Sequence, residues 1–174
     1  MRADRGLPHV APDPPRGALR TFVRLLDTSV FSALERSLPN RLFWRLAPRL
    51  MRLTGRLTSL RPFPVGLLET RDQRNGRPHR RVVIYFHDGD RVIVIPSKAG
   101  MPTDPFWFEN AVADPEVLFG GHPFRAEAVA GENELARLWA LADRFYPPYA
   151  SFRERAARSG RTIPILRLVP AQVS

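Results

Sequence analysis

The residues with the most chemical potential lie in Thr70–Arg81, TRDQRNGRPHRR, where Arg71, Arg74, Arg77, Arg80 and Arg81 surround Gly76 and His79. Guanidinium groups present a planar fork suited to phosphate and carboxylate. A glycine turn lets main-chain N–H groups approach an anion. The chemistry this pattern permits is anion capture, although the same stretch also fits a solvated connection between two strands. A second candidate is Ser97-Lys98-Ala99-Gly100, which sets a hydroxyl, the only lysine of the chain and two small residues directly after an apolar run. A flat ligand could approach the backbone there. Pro105–Asn110 (PFWFEN) opens a helix whose first turn suits an anion or a carbonyl oxygen, with Trp107 reading as core. Tyr146–Phe152 (YPPYASF) spaces aromatics three residues apart, an arrangement that walls a flat ring or fills a core.

Other chemistries are poorly supplied. The chain has no cysteine, which excludes disulfides, thiolate metal sites and cysteine nucleophiles. The histidines, His9, His79, His87 and His122, lack metal-ligand spacing, so no metal is expected. No Ser-His-Asp set or carboxylate pair stands out for hydrolysis. Neither a G-x-G-x-x-G nor a P-loop is present.

These candidates need a scaffold, and 174 residues with 44% hydrophobic and 25% charged composition suit one globular domain with a short appendage. Residues 1–17 read as a flexible tail with four prolines. Residues 18–53 read as amphipathic helices. Leu19, Phe22, Val23, Leu26, Val30, Ala33 and Leu34 share one face of the first, and Arg41, Arg45, Arg49 and Arg52 line one side of the second. Residues 54–174 form the expected β-barrel domain, to which the resemblance given below assigns a cofactor. Strands are expected at Val65–Thr70, Arg80–His87, Arg91–Pro96, Glu116–Phe119, Phe124–Val129 and Ile163–Val169, with a tight hairpin at Asp88-Gly89-Asp90. Helices are expected from Pro105 to about Ala113, over Glu132–Phe145 and over Tyr149–Arg158. Short strands joined by tight turns, with helices inserted between hairpins, predict a small β-barrel of α+β class.

The charge is uneven. Residues 1–81 hold 17 arginines against 6 acidic residues, whereas residues 82–174 hold 10 basic against 11 acidic ones. A basic front half suits nucleic acid, anionic lipid or a polyanionic ligand. No recognised nucleic-acid motif appears, so no nucleic-acid partner is expected. For residues 18–53 two readings stay open: helices covering an edge of the barrel, or basic helices lying on an anionic membrane. Neither a signal peptide nor a membrane-spanning run is read in the sequence, and the expected location is cytoplasmic, with peripheral contact at the inner membrane face as the second reading.

From about Asn40 to Pro170 the chain resembles the deazaflavin-dependent nitroreductases, also called F-420-dependent quinone reductases. The resemblance is carried by QRNGRPHRRVVIY, DGD, VIPSKAG, PFWFENAVADP, YPPYASF and TIPILRL in that order. It implies a split β-barrel and a 5-deazaflavin cofactor with a phosphate and a polyglutamate tail, F-420, bound in preference to FMN. It implies phosphate and tail contacts from Gln73, Arg74, Asn75, His79, Arg80 and Arg81. Val82, Val83 and Ile84 would line the ring site, with Ile95, Pro96, Ser97 and Lys98 beside the deazaflavin. Phe106, Trp107, Phe108, Glu109 and Asn110 would close the site. Tyr146, Tyr149 and Phe152 would wall the pocket of a quinone-like or nitroaromatic acceptor, and Ser97 and Tyr149 are the candidate catalytic hydroxyls. The family's G-R-K-S-G-x-x-R loop becomes Asp72-Gln73-Arg74-Asn75-Gly76-Arg77-Pro78-His79, with an acid for the first glycine and both outer arginines replaced. The alternative is a non-catalytic binder of flavin, haem-derived pigment or lipid on the same barrel.

Overall fold

The computed structural model describes residues 64–171. The expected tail, the helices of residues 18–53 and the start of the barrel domain at 54–63 lie outside the described residues. Within them the chain runs β1 (Val65–Arg71), β2 (Pro78–Asp88), β3 (Arg91–Val94), a 3₁₀ turn (Lys98–Gly100), α1 (Phe106–Ala113), β4 (Glu116–Phe119), β5 (His122–Ala128), α2 (Glu132–Phe145), α3 (Pro148–Ala157) and β6 (Leu166–Pro170). The six strands close a barrel in the order β1-β2-β3-β6-β5-β4, and every pairing is antiparallel. This is the expected split barrel of α+β class. No helix among the described residues is long and apolar enough to cross a membrane.

Two cores explain the apolar runs of β2 and β3. Side chains alternate across a strand, so Val83, Tyr85, Val92 and Val94 join Leu68, Phe119, Phe124, Leu166 and Leu168 in one buried cluster. The opposite face carries Phe86, Ile93 and Ile95 against Leu138, Phe145, Tyr149 and Phe152 of the helical layer. A strand buried on both faces reads as a continuous apolar run. Trp107 and Ala111 of α1 belong to the first cluster, which anchors the start of that helix to the barrel.

Strand ends moved at prolines and turns. β3 stops at Val94 and β6 starts at Leu166, because Pro96 and Pro164 have no N–H for a ladder. Ile163 and Ile165 are buried under the helices all the same. β5 begins at His122, since Phe119 pairs directly with His122 across the Gly120-Gly121 turn.

Candidate active site

One cavity of about 770 Å³ collects residues from four separated stretches of the chain. β2 contributes His79, Arg81, Val82, Val83 and Ile84. The segment after β3 contributes Ile95, Pro96, Ser97 and Lys98, with Ala99 and Met101 beside them. The start of α1 adds Pro105, Phe106 and Trp107, and the helical layer adds Tyr146, Tyr149 and Phe152. The volume falls within the range of small-ligand sites. No acidic side chain lines it among the described residues, so its walls are apolar and its charges positive.

Seven of the expected site residues stand outside this wall. Asn110 is fully buried; its side-chain oxygen accepts the Gln73 N–H at 3.3 Å and its NH₂ donates to Thr70 Oγ1 at 3.4 Å. It thus ties the arginine loop to α1. Arg80 forms an ion pair with Glu69, its cross-strand partner on β1. Asn75 is spent inside the loop, where its NH₂ donates to Asp72 Oδ2 at 3.2 Å and its oxygen accepts the Arg77 N–H at 2.9 Å. Phe108 packs edge-on to Trp107, and Glu109 is exposed. Gln73 and Arg74 lie in the loop next to the cavity, with the Arg74 guanidinium over the ring of Phe106.

Asp72 has a local reason to replace glycine. Its carboxylate accepts the Arg74 N–H at 2.8 Å, and its carbonyl accepts the N–H groups of Asn75 at 3.3 Å and Gly76 at 2.7 Å. An aspartate that bonds its own following backbone stabilises a turn, so the acid shapes the loop from within.

The Ser97–Gly100 turn is the least ordinary backbone in the site. Lys98 and Ala99 take φ of 46° and 53°, and Gly100 follows at 74°. The left-handed region costs a non-glycine residue about 1–2 kcal/mol. A side chain at Gly100 would lie 2.5 Å from the Phe152 carbonyl oxygen, so α3 packs directly on the turn. The Lys98 ammonium does not enter the cavity unpartnered: it donates to Thr103 Oγ1 at 2.7 Å and to the Asp104 carbonyl at 3.1 Å. Behind the turn lies Arg161, buried and absent from the expected site residues. It reaches Asp104 Oδ1 at 2.8 Å and the carbonyls of Ser97 at 3.1 Å and Met101 at 2.8 Å, and it also donates to the Pro96 carbonyl. The one available signal was an arginine two residues before the Ile163-Pro164 pair; nothing local said what it would meet.

Electrostatics sharpen two positions. Burial, then the charge of Arg81, lowers the His79 pKa from its usual value, while Asp72 pulls the other way. Its Nδ1 is buried without a hydrogen-bond partner. Burial, then Tyr146, raises the Tyr149 pKa well above the ordinary phenol range, so this hydroxyl stays neutral at any working pH. Tyr149 meets Tyr146 edge-on at 5.0 Å and Phe152 at 6.3 Å between ring centroids.

The sequence matches the F-420H(2)-dependent quinone reductase family over residues 45–170. The chain belongs to that family. A Mycobacterium tuberculosis protein provisionally named as such a reductase is 33% identical over 114 residues, 63% of this chain and 92% of that protein. Another protein of that organism, named F-420H(2)-dependent quinone reductase, is 30% identical over 114 residues, 60% of this chain and 72% of its own length. A solved F-420-H2 dependent reductase is 26% identical with a TM-score of 0.52, covering 60% of this chain and 93% of that one. Membership makes this protein an oxidoreductase with coenzyme F-420 as its cofactor, and the non-catalytic alternative is set aside.

The cavity fits such a group. A polyanionic, flat molecule needs an apolar slot, a positive margin and polar atoms left without partners. Among the described residues the slot carries Arg81 and no acid, and His79 Nδ1 is an orphan at its wall. The Lys98 and Ala99 N–H groups also lack acceptors among the described residues. Reduced F-420 bound there would supply a hydride, with the protein supplying position and electrostatics.

Proposed function

We propose that this family member reduces a quinone-like or nitroaromatic acceptor at the cavity between β2, the Ser97–Gly100 turn and α3. The observation that carries the reading is that the aromatic cluster Tyr146, Tyr149 and Phe152 shares one cavity with Ser97 and the β2 residues Val82–Ile84. Aromatic faces hold flat rings, and both acceptor classes are flat. In this reading His79 and Arg81 hold the anionic part of the cofactor, with Gln73 and Arg74 of the loop beside them. Val82, Val83, Ile84, Ile95 and Pro96 exclude water from the reacting face. Phe106 and Trp107 close one end.

Negative charge grows on a quinone or nitro oxygen as the acceptor is reduced. A hydroxyl aimed at that oxygen lowers the barrier. The Ser97 and Tyr149 hydroxyls have no hydrogen-bond partner among the described residues, and both residues line the cavity. Tyr149 is suited to donate a hydrogen bond without surrendering its proton, because burial keeps the phenol neutral. Asn75 and Asn110 brace the loop and α1 from behind, while Phe108 packs on Trp107 and Arg80 pairs with Glu69. The direct test is oxidation of reduced F-420 with menadione and, separately, with a nitroaromatic compound. Turnover with either supports the reading and names the acceptor class; turnover with neither overturns it.

A further inference from the structure

The turn Ser97–Gly100 is held in its left-handed form from outside, and one side chain does most of the holding. A short turn at Ser159-Gly160 follows α3, where the Arg161 N–H donates to the Ala156 carbonyl at 3.1 Å. This places the Arg161 guanidinium beneath the turn, with its side chain only 6% exposed. All three of its nitrogens are used: toward Asp104, and toward the carbonyls of Pro96, Ser97 and Met101. Arg155 takes the Ala99 carbonyl at 2.8 Å. Four carbonyls of one six-residue segment are therefore drawn to arginines outside the cavity. Over the same segment the N–H groups of Gly100 and Met101 bond to Ser97 and Lys98 carbonyls. Those of Lys98 and Ala99 bond to nothing among the described residues, although both residues line the cavity.

We propose that Arg161 is a positioning residue of the reduction: by binding the carbonyls of Pro96, Ser97 and Met101 it keeps the Lys98 and Ala99 N–H groups available to an electronegative oxygen of the ring held in the cavity. Successive N–H groups around a right-handed and then a left-handed residue form an anion-binding concavity, and Ser97 at φ −64° and ψ −38° followed by Lys98 at φ 46° is such a pair. A guanidinium suits this task because its donors diverge in one rigid plane, whereas an ammonium must serve several carbonyls from one nitrogen. Removing it leaves the Pro96 and Met101 carbonyls without a donor among the described residues and the Ser97 carbonyl with the Gly100 N–H alone, and the left-handed residues free to relax toward right-handed backbone. Such a relaxation turns the N–H groups with the peptide planes. The role rests on this cavity being the cofactor site, as proposed above.

Arg161→Met, Arg161→Lys and the double variant Arg161→Met with Ala99→Gly test this, with Arg137→Met as control. Arg137 pairs with Asp88 and Glu134 on the surface, away from the cavity. F-420 affinity is read by fluorescence titration, stability by thermal melting, and the turn by amide NMR signals of Lys98, Ala99 and Gly100 in the protein without cofactor. Arg161→Met should weaken F-420 binding at least about tenfold and shift or broaden those three amides while barrel signals stay in place. Arg161→Lys should lie between. The added glycine adopts the left-handed region freely and should recover part of the lost affinity, whereas Arg137→Met should leave affinity unchanged whatever it does to melting. If Arg161→Met does not fold, the lysine variant decides. Wild-type affinity in a folded Arg161 variant, or an equal loss in the control, overturns the role of Arg161. Failure of the wild-type protein to bind F-420 overturns the cavity assignment instead.

Discussion

The guanidinium of Arg74 lies 5.2 Å from the centroid of the Phe106 ring, and Phe106 lines the cavity. This contact brings the arginine loop to the mouth of the site, although the loop and α1 are separated by two strands. A stacked arginine loses some freedom but keeps its N–H edge for hydrogen bonds. Anchoring of an anionic cofactor should therefore depend on Arg74 as well as on Arg81. Replacing either with alanine should weaken F-420 binding by about 1–3 kcal/mol per lost charged contact. Binding by the unaltered protein should weaken with added salt and exceed that of FMN. Equilibrium titration across salt concentrations checks all three; unchanged affinity in both variants would remove the loop from the site.

His79 should make that binding depend on pH. Its pKa in the folded protein lies below the usual value because burial and Arg81 oppose the charged ring. The unfolded chain thus binds more protons between the two values. The neutral ring's contribution to stability is complete above about pH 6.5 and declines as pH falls toward the folded value. A bound anion acts the other way, favouring the imidazolium and drawing in a proton. F-420 affinity should then rise as pH drops below about 6.5, and His79→Gln should lose that part of the slope. Titrations from about pH 5.5 to about pH 8 in both proteins give the answer. Parallel slopes would mean that His79 does not titrate with the cofactor.

Tyr149→Phe keeps the ring that packs on Tyr146 and Phe152 and removes only the hydroxyl. It should lower turnover by roughly 10–100-fold, within or below the loss from one aimed oxyanion donor, and leave F-420 affinity within about threefold. Ser97→Ala should act in the same direction or disturb the deazaflavin. Steady-state oxidation of reduced F-420 with menadione, beside direct titration, separates the two effects. Unaltered turnover in both variants would leave these residues as walls alone.

Residues 18–53 offer a further test, since their basic amphipathic pattern fits either a barrel cover or a membrane face. If they hold the protein to a lipid surface, the full chain should float with anionic liposomes, and protein lacking residues 1–38 should float less. Charge attraction adds to apolar burial in such binding, so the difference should shrink in high salt. Equal flotation of both proteins would assign residues 1–38 no anchoring role.

Much of this fold is written locally. The continuous apolar runs Val82–Phe86 and Val92–Ile95, the paired glycines at 120–121 and the periodic apolar face of Glu132–Phe145 each depend on neighbours a few residues away. So do strands, hairpins and helices, and their order was therefore legible. The same holds for the arginine loop, the Ser-Lys strand end and the aromatic run, whose types and order are features of the chain itself. Tertiary structure decided which of them meet. The closure of β3 on β6 and of β1 on β4 joins strands far apart in sequence. It also turns His79 and Arg81 toward the cavity while Arg80, one position away, pairs with Glu69. It committed Asn110 to hydrogen bonds with Thr70 and the Gln73 N–H. Arg161 stands more than fifty residues from the carbonyls it binds, a contact set only by how α3 packs on the turn. A hydrogen bond across such a separation leaves no period or spacing in the sequence, and its partners exist only once the barrel has closed.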